Sequence, residues 1–195
     1  VAVEADLRDD DAPDRLVSAA VESFGRLDGL VNNAALHTVA PLLEVSDTEW
    51  EEMQAVNITA VHRLTAAFAR HVIEAGHGGS VVHISSIEGL HPAPGHGHYA
   101  TSKAALLMLA RSQAAELGAH GVRVNCVSPG LIDRDGLVDD WPDGVERWLA
   151  AAPLGRLGRP GDVADACAFL LSTMADFVSG ANLVVDGGVT ARPTW

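Results

Sequence analysis

Basic residues, cysteines and long apolar runs are all scarce in this chain. Lysine and arginine together number 13 against 26 acidic residues in a chain of 195, a formal net charge of -13 with a pI near 4.9. So little positive charge argues against non-specific binding to nucleic acid or to an anionic membrane, where basic side chains supply the affinity. No stretch approaches the roughly 18 consecutive apolar residues of a membrane span, and no basic, apolar and cleavage-site series opens the chain. A soluble cytoplasmic protein is therefore expected. There are 2 cysteines, Cys126 in an apolar strand-like run and Cys167 on the apolar face of a helical pattern. Neither has motif spacing, so buried free thiols are expected rather than a disulfide or a metal site.

What is present suits one domain: 48% hydrophobic residues and a mean hydropathy of +0.15 supply a substantial core. Val1 to Asp6 reads as a strand. Asp10 to Phe24 reads as an amphipathic helix with Pro13 and carboxylates at its start and Gly25 as its stop. Leu27 to Val31 is a second strand that runs into Asn32-Asn33-Ala34-Ala35, small and amide residues suited to a tight turn close to a ligand. Ser46-x-x-Glu49 is a capping box for a long helix to about Ala75, broken near Asn57. Further strands are expected at 80–85, at Val122 to Val127 and at Leu183 to Val185, and helices from His98 to Leu117, stopped by Gly118, and from Asp162 to Leu171. Alternating strands and helices predict a parallel sheet with helices on both faces. Residues 135–155, with Trp141 and Trp148, read as a substrate-facing lid or as simple packing of a short helix pair.

The chemistry concentrates at Tyr99-Ala100-Thr101-Ser102-Lys103. One helical turn separates the phenol from the ammonium, which places both on one helix face. Tyrosine has an ordinary pKa of about 10, and an adjacent cation is expected to lower it and let the pair move a proton. Upstream, Val81-Val82-His83-Ile84-Ser85-Ser86 reads as a buried strand that delivers serine hydroxyls at its carboxyl end, the edge where open parallel sheets bind ligands. Asn57 is either a tolerated polar residue or a group turned toward a water chain, through its side-chain amide or an exposed carbonyl. The loop from His91 to His98 invites a metal hypothesis, but no carboxylate or cysteine accompanies its histidines at a recognised spacing. It is expected to border the active site without a metal.

Together these motifs resemble the classical short-chain dehydrogenase/reductase family. Asn32-Asn33-Ala34-Ala35 is similar to its N-N-A-G turn, Asn57 to its helix asparagine, Ser85-Ser86 to its strand-end serines, Tyr99-x-x-x-Lys103 to its active-site pair, Pro129-Gly130 to its turn and Val185-Asp186-Gly187-Gly188 to its C-terminal signature. The resemblance implies an α/β Rossmann-like doubly wound sheet, NAD or NADP as cofactor, and interconversion of a ketone and a secondary alcohol. It implies Tyr99 as general acid or base, Lys103 as its pKa-lowering and ribose-binding partner, Ser86 on the substrate carbonyl, and Asn57 holding a water. By the same resemblance Asp6 reaches the adenine, Asn32, Ala34, Pro129 and Gly130 line the cofactor, and Ile132 touches the nicotinamide. A small-molecule substrate and a homodimer or homotetramer, packed through helices at 47–75 and 98–117, are implied as partners.

Three departures qualify that picture. The family's first βαβ unit with its glycine-rich turn has no counterpart, so the domain is expected to be N-terminally incomplete, a piece of a longer protein, with NAD or NADP preference unreadable. Ala35 replaces a glycine, and Arg134 stands where a threonine commonly meets the carboxamide. A noncatalytic cofactor-sensing or scaffold protein on the same fold, or an inactive fragment, is the alternative reading.

Overall fold

The computed structural model describes residues 1–191. A four-stranded parallel sheet holds β1 (Gly29–Asn32), β2 (Gly79–Ile84), β3 (Val122–Pro129) and β4 (Asn182–Val185) in the order β1-β2-β3-β4. Residues 1–6 form no strand, contrary to expectation, and Val1 and Val3 are 80% and 43% exposed. Alternating apolar residues define a strand only where a neighbour satisfies their backbone groups, and among the described residues none pairs with this segment.

The first helix, α1 (Ala12–Phe24), begins with proline in its first turn and ends at Gly25, whose φ of 74° is the left-handed cap that glycine favours. It lies against the long helical arm that follows β1. That arm starts with α2 (Asp47–Gln54), where Ser46 and Glu49 complete the expected capping box. It widens into one π turn at Ala55–Thr59 and continues as α3 (Ala60–Glu74). The break expected near Asn57 is this π turn. After β2, α4 (Gly97–Leu117) carries Tyr99 and Lys103, and the chain then tightens through a 3-10 turn at Gly118–His120. Gly118 has ordinary helical angles, so the left-handed stop falls three residues later, at Gly121 with φ 73°. Gly78 meets it there: a side chain at Gly78 would put its Cβ 2.4 Å from the Gly121 carbonyl oxygen.

The segment after β3 folds as α5 (Leu137–Asp140) and α6 (Pro142–Ala151), and α7 (Pro160–Leu171) leads to β4. Helices α3 and α4 cover one sheet face through Phe68, Val72, Val81, Ala110, Val122, Val124 and Cys126. Helix α7 covers the other through Val82, Val127, Ala166, Cys167 and Leu170. Strand β2 is buried on both faces, which is why its sequence is a continuous apolar run rather than an alternation. Burial of both cysteines fits the expectation of free thiols. Among the described residues no helix is long and apolar enough to cross a membrane.

Candidate active site

The carboxyl end of β2 is stitched to α4 by two reciprocal bonds. Ser85 Oγ donates to the Lys103 carbonyl at 2.8 Å, and Lys103 Nζ donates to the Ile84 carbonyl at 2.7 Å. Ser86 then caps a 3-10 turn over Ile87–Gly89 by accepting from Glu88 N at 3.1 Å. This turn presses on α4 so closely that a Cβ at Gly89 would lie 2.9 Å from the Ala104 nitrogen. The result sets Ser86 and Tyr99 side by side in one cavity, near enough for the serine to favour the phenolate, with Lys103 Nζ 5.6 Å from the centre of the tyrosine ring.

The electrostatics of the pair differ from the sequence expectation. Burial raises the Tyr99 pKa above its ordinary 10.0; the Ser86 hydrogen bond opposes that rise and Glu88 adds to it. Lys103 is 3% exposed, and burial brings its pKa down to about 8. Helical spacing delivered the neighbours, but loss of water is the largest influence on both groups. Lys103 spends one of its three ammonium donors on Ile84.

Ser86, Tyr99 and Gly130 line one cavity of about 460 Å³. Its walls have opposite character. His37, Glu88 and His96 form a polar side, while Leu131, Trp141 and Trp148 form an apolar one edged by Arg147. The Trp148 ring lies where any side chain at Gly130 would stand, its nearest carbon 2.4 Å from that position. Residues 135–155 thus contribute the aromatic wall. Arg134 does not reach the cavity and bonds instead to Asp140 at 2.8 Å on the surface.

The remaining predicted residues divide among other surfaces. Pro129 and Ile132 line an apolar groove of about 630 Å³ with Val31, Asn33, Ile84 and α7. Asn32 and Ala34 border a small cavity of about 70 Å³ that also touches Leu7 and the start of α3. The Asn32 amide donates to Thr65 Oγ1 at 3.2 Å and to His83 Nδ1 at 3.0 Å, and His83 Nε2 meets Gln113 Oε1 at 2.8 Å. Asp6 is drawn into a local turn by Arg8, whose guanidinium holds its carboxyl at about 2. Asn57 is 1% exposed with its amide fully engaged. Its Oδ1 accepts from Leu36 N at 2.8 Å, and its Nδ2 donates to Leu36 O at 2.9 Å and Ser102 Oγ at 3.0 Å. The amide therefore anchors the loop after β1 to α4.

Sequence reasoning missed His37 and Glu88. The loop after β1 and the turn after β2 bring them beside His96, and this supplies the carboxylate that the histidine-rich loop lacked by spacing. His37 lies two residues beyond the Asn32–Ala35 turn, and that proximity was the one available signal.

A parallel α/β sheet that opens at its carboxyl edge onto a serine, a tyrosine and a lysine defines a carbonyl/alcohol oxidoreductase. The chain belongs to the short-chain dehydrogenase/reductase family: residues 1–190 match the family described as enoyl-(acyl carrier protein) reductase. It is 41% identical over 191 residues to L-rhamnose 1-dehydrogenase (NAD(P)(+)) of Azotobacter vinelandii, covering 97% of this chain and 75% of that one. It is also 41% identical over 191 residues to cis-4-hydroxycyclohexanecarboxylate dehydrogenase of Sinomonas cyclohexanicum, with 97% and 76% covered. A gluconate 5-dehydrogenase of Burkholderia cenocepacia, solved in complex with NADP and tartrate, superposes with a TM-score of 0.89 at 30% identity, covering 97% of this chain and 74% of that one.

Proposed function

We propose that Tyr99 exchanges the proton in an NAD- or NADP-dependent interconversion of a ketone and a secondary alcohol, with Ser86 bonded to the reacting oxygen. The observation that carries this reading is that Ser86 and Tyr99 line the same cavity, with Lys103 behind the ring. A nicotinamide, when bound, supplies or accepts the hydride. Lys103 suits such a cofactor because its remaining ammonium donors match the paired hydroxyls of a ribose, and Asn32, Ala34, Pro129, Gly130 and Ile132 stand at the strand ends where it would lie. Direct titration of NAD and NADP decides between them.

In reduction, Ser86 donates to the carbonyl oxygen and stabilises the charge that develops there. Tyr99 then gives its proton to that oxygen. Its raised pKa keeps the phenol protonated until the step needs it. Asn57 serves the proton path through its main-chain carbonyl, inside the π turn that loosens the regular helical ladder.

The substrate we infer is a small alcohol with a second oxygen near the reacting carbon. The polar wall of His37, Glu88 and His96 facing Tyr99 supports this, and so does the relative named for rhamnose, a sugar with neighbouring hydroxyls. We infer a cytoplasmic homo-oligomer as well; Met108 on α4, 59% exposed, and Trp50 on α2, 38% exposed, offer apolar surface for the contact. The test is Tyr99→Phe assayed with a panel of sugars, diols and hydroxy acids. Its kcat/KM should fall by about 10²- to 10⁴-fold with nucleotide affinity retained. An unchanged kcat removes Tyr99 from the reaction.

A further inference from the structure

We propose that His37, Glu88 and His96 form a site for a divalent transition metal of the zinc class, at the mouth of the active-site cavity. The three come from separate segments, namely the loop after β1, the turn after β2 and the loop before α4. Their ligand atoms all lie within 4.8 Å of one another. His96 Nδ1 is hydrogen-bonded to Glu88 Oε2 at 2.7 Å, a contact that a shared ion would replace. Zinc holds nitrogen and oxygen donors at roughly 2.0–2.2 Å, which sets tetrahedral ligands roughly 3.3 Å apart, so the Glu88–His96 pair opens slightly and His37 makes the larger movement. It is free to do so, because its ring is exposed and its contacts are edge-on, to His96 at 5.0 Å and to Tyr99 at 4.5 Å between centroids.

The donor set names the metal class. Calcium and magnesium take oxygen ligands, whereas two imidazoles and one carboxylate suit zinc, nickel or cobalt. Two histidines and a glutamate, with a fourth position open, is also a donor set of catalytic rather than structural zinc sites. A net charge of -13 further raises the local concentration of cations. Glu88 and His96 line the same cavity as Ser86 and Tyr99, so the open position faces the place where a substrate's second oxygen would lie. This last step rests on the substrate reading above: the metal would hold that oxygen while the first meets Ser86 and Tyr99.

Metal binding is measured on the chain alone, without nucleotide or substrate, so it succeeds or fails independently of the Tyr99 assignment. Zn²⁺ is titrated against a chromophoric chelator, using wild type, His37→Ala, Glu88→Gln, His96→Ala and the exposed-histidine control His62→Ala. Co²⁺ is added separately to read coordination from its visible absorption. One equivalent bound, at least tenfold weaker in each of the three site variants and unchanged in His62→Ala, with an intense four- or five-coordinate Co²⁺ spectrum, is the expected result. Equal weakening in His62→Ala, or a pale six-coordinate spectrum, shows scattered surface binding and overturns the site. Thermal melts of the variants separate loss of the site from loss of the fold: unfolded Glu88→Gln is set aside, and His37→Ala, altered on an exposed loop, then decides. In turnover, Zn²⁺ should lower KM for a vicinal diol and leave KM for a lone secondary alcohol unchanged. Equal effects on both overturn the substrate contact.

Discussion

Replacing Lys103 with methionine should stabilise the protein at neutral pH, and the advantage should vanish in alkali. The side chain is 3% exposed and burial lowers its pKa from 10.5 to about 8. Folding at pH 7 therefore buries a charge at a cost of about 3 kcal/mol, at 1.36 kcal/mol per pKa unit. Methionine removes that cost and fills a similar volume, but leaves the Ile84 carbonyl without its 2.7 Å bond, a loss of about 1–3 kcal/mol. The net gain at pH 7 is up to about 2 kcal/mol. Between pH 8 and 10.5 the unfolded lysine holds a proton that the folded one has released, so wild-type stability from this residue rises with pH. At pH 10 the burial cost has fallen below about 1 kcal/mol, and the variant should be no more stable than wild type. Cys126, raised by burial to about 12, pulls the other way above pH 9 in both proteins and cancels in the difference. Urea unfolding followed by tryptophan fluorescence at pH 7 and pH 10 measures both values. A stability difference that stays constant between the two pH values refutes the argument, whatever its sign.

Two further titrations follow from burial. His83 is pulled to about 4, first by desolvation and against its Gln113 bond. Its contribution is complete above pH 6.5 and is lost as pH falls toward 4, by about 2–3 kcal/mol. His83→Gln should flatten that part of the acid profile, and an unaltered acid midpoint would show that other groups govern it. Tyr99 is the only tyrosine in the chain, so the phenolate absorbance change reports this residue alone. In the folded protein its midpoint should lie above 10, and a midpoint below 10 would mean that the lysine, not burial, sets its acidity.

The elements that the sequence made legible are those with local causes. Ser46 and Glu49 cap a helix by themselves, Gly25 ends one by its own φ, and the apolar run at β2 announces a strand covered on both faces. Residues 1–6 misled because a strand is a relation between two segments, and alternation describes only one of them. The site divides in the same way. Four-residue spacing was enough to predict that Tyr99 and Lys103 share a face; the strand end offered Ser85 and Ser86 alike, and only the family resemblance chose Ser86. The sign of their pKa shifts was beyond sequence, because it depends on how much water the rest of the chain removes. His37 and Glu88 were unreadable for another reason: Glu88 meets His96 only through the fold of the loop between them, and His37 joins only when β1 and β2 lie side by side.

Burial acts on the two groups in a way that bears on direction. It raises the phenol and lowers the ammonium, so both shifts favour the neutral forms. At neutral pH the phenol consequently carries its proton, while the lysine, at about 8, is still mostly charged. That is the state required to protonate an oxygen on which negative charge is developing, and it needs no rearrangement before the transfer. Oxidation asks for the opposite, a phenolate, which burial and Glu88 both disfavour. A buried tyrosine therefore serves as an acid on its own account and as a base only when positive charge enters its surroundings. Alcohol oxidation is accordingly expected to climb with pH across a range where ketone reduction does not, and pH profiles of kcat measured in the two directions check this; parallel profiles would refute it.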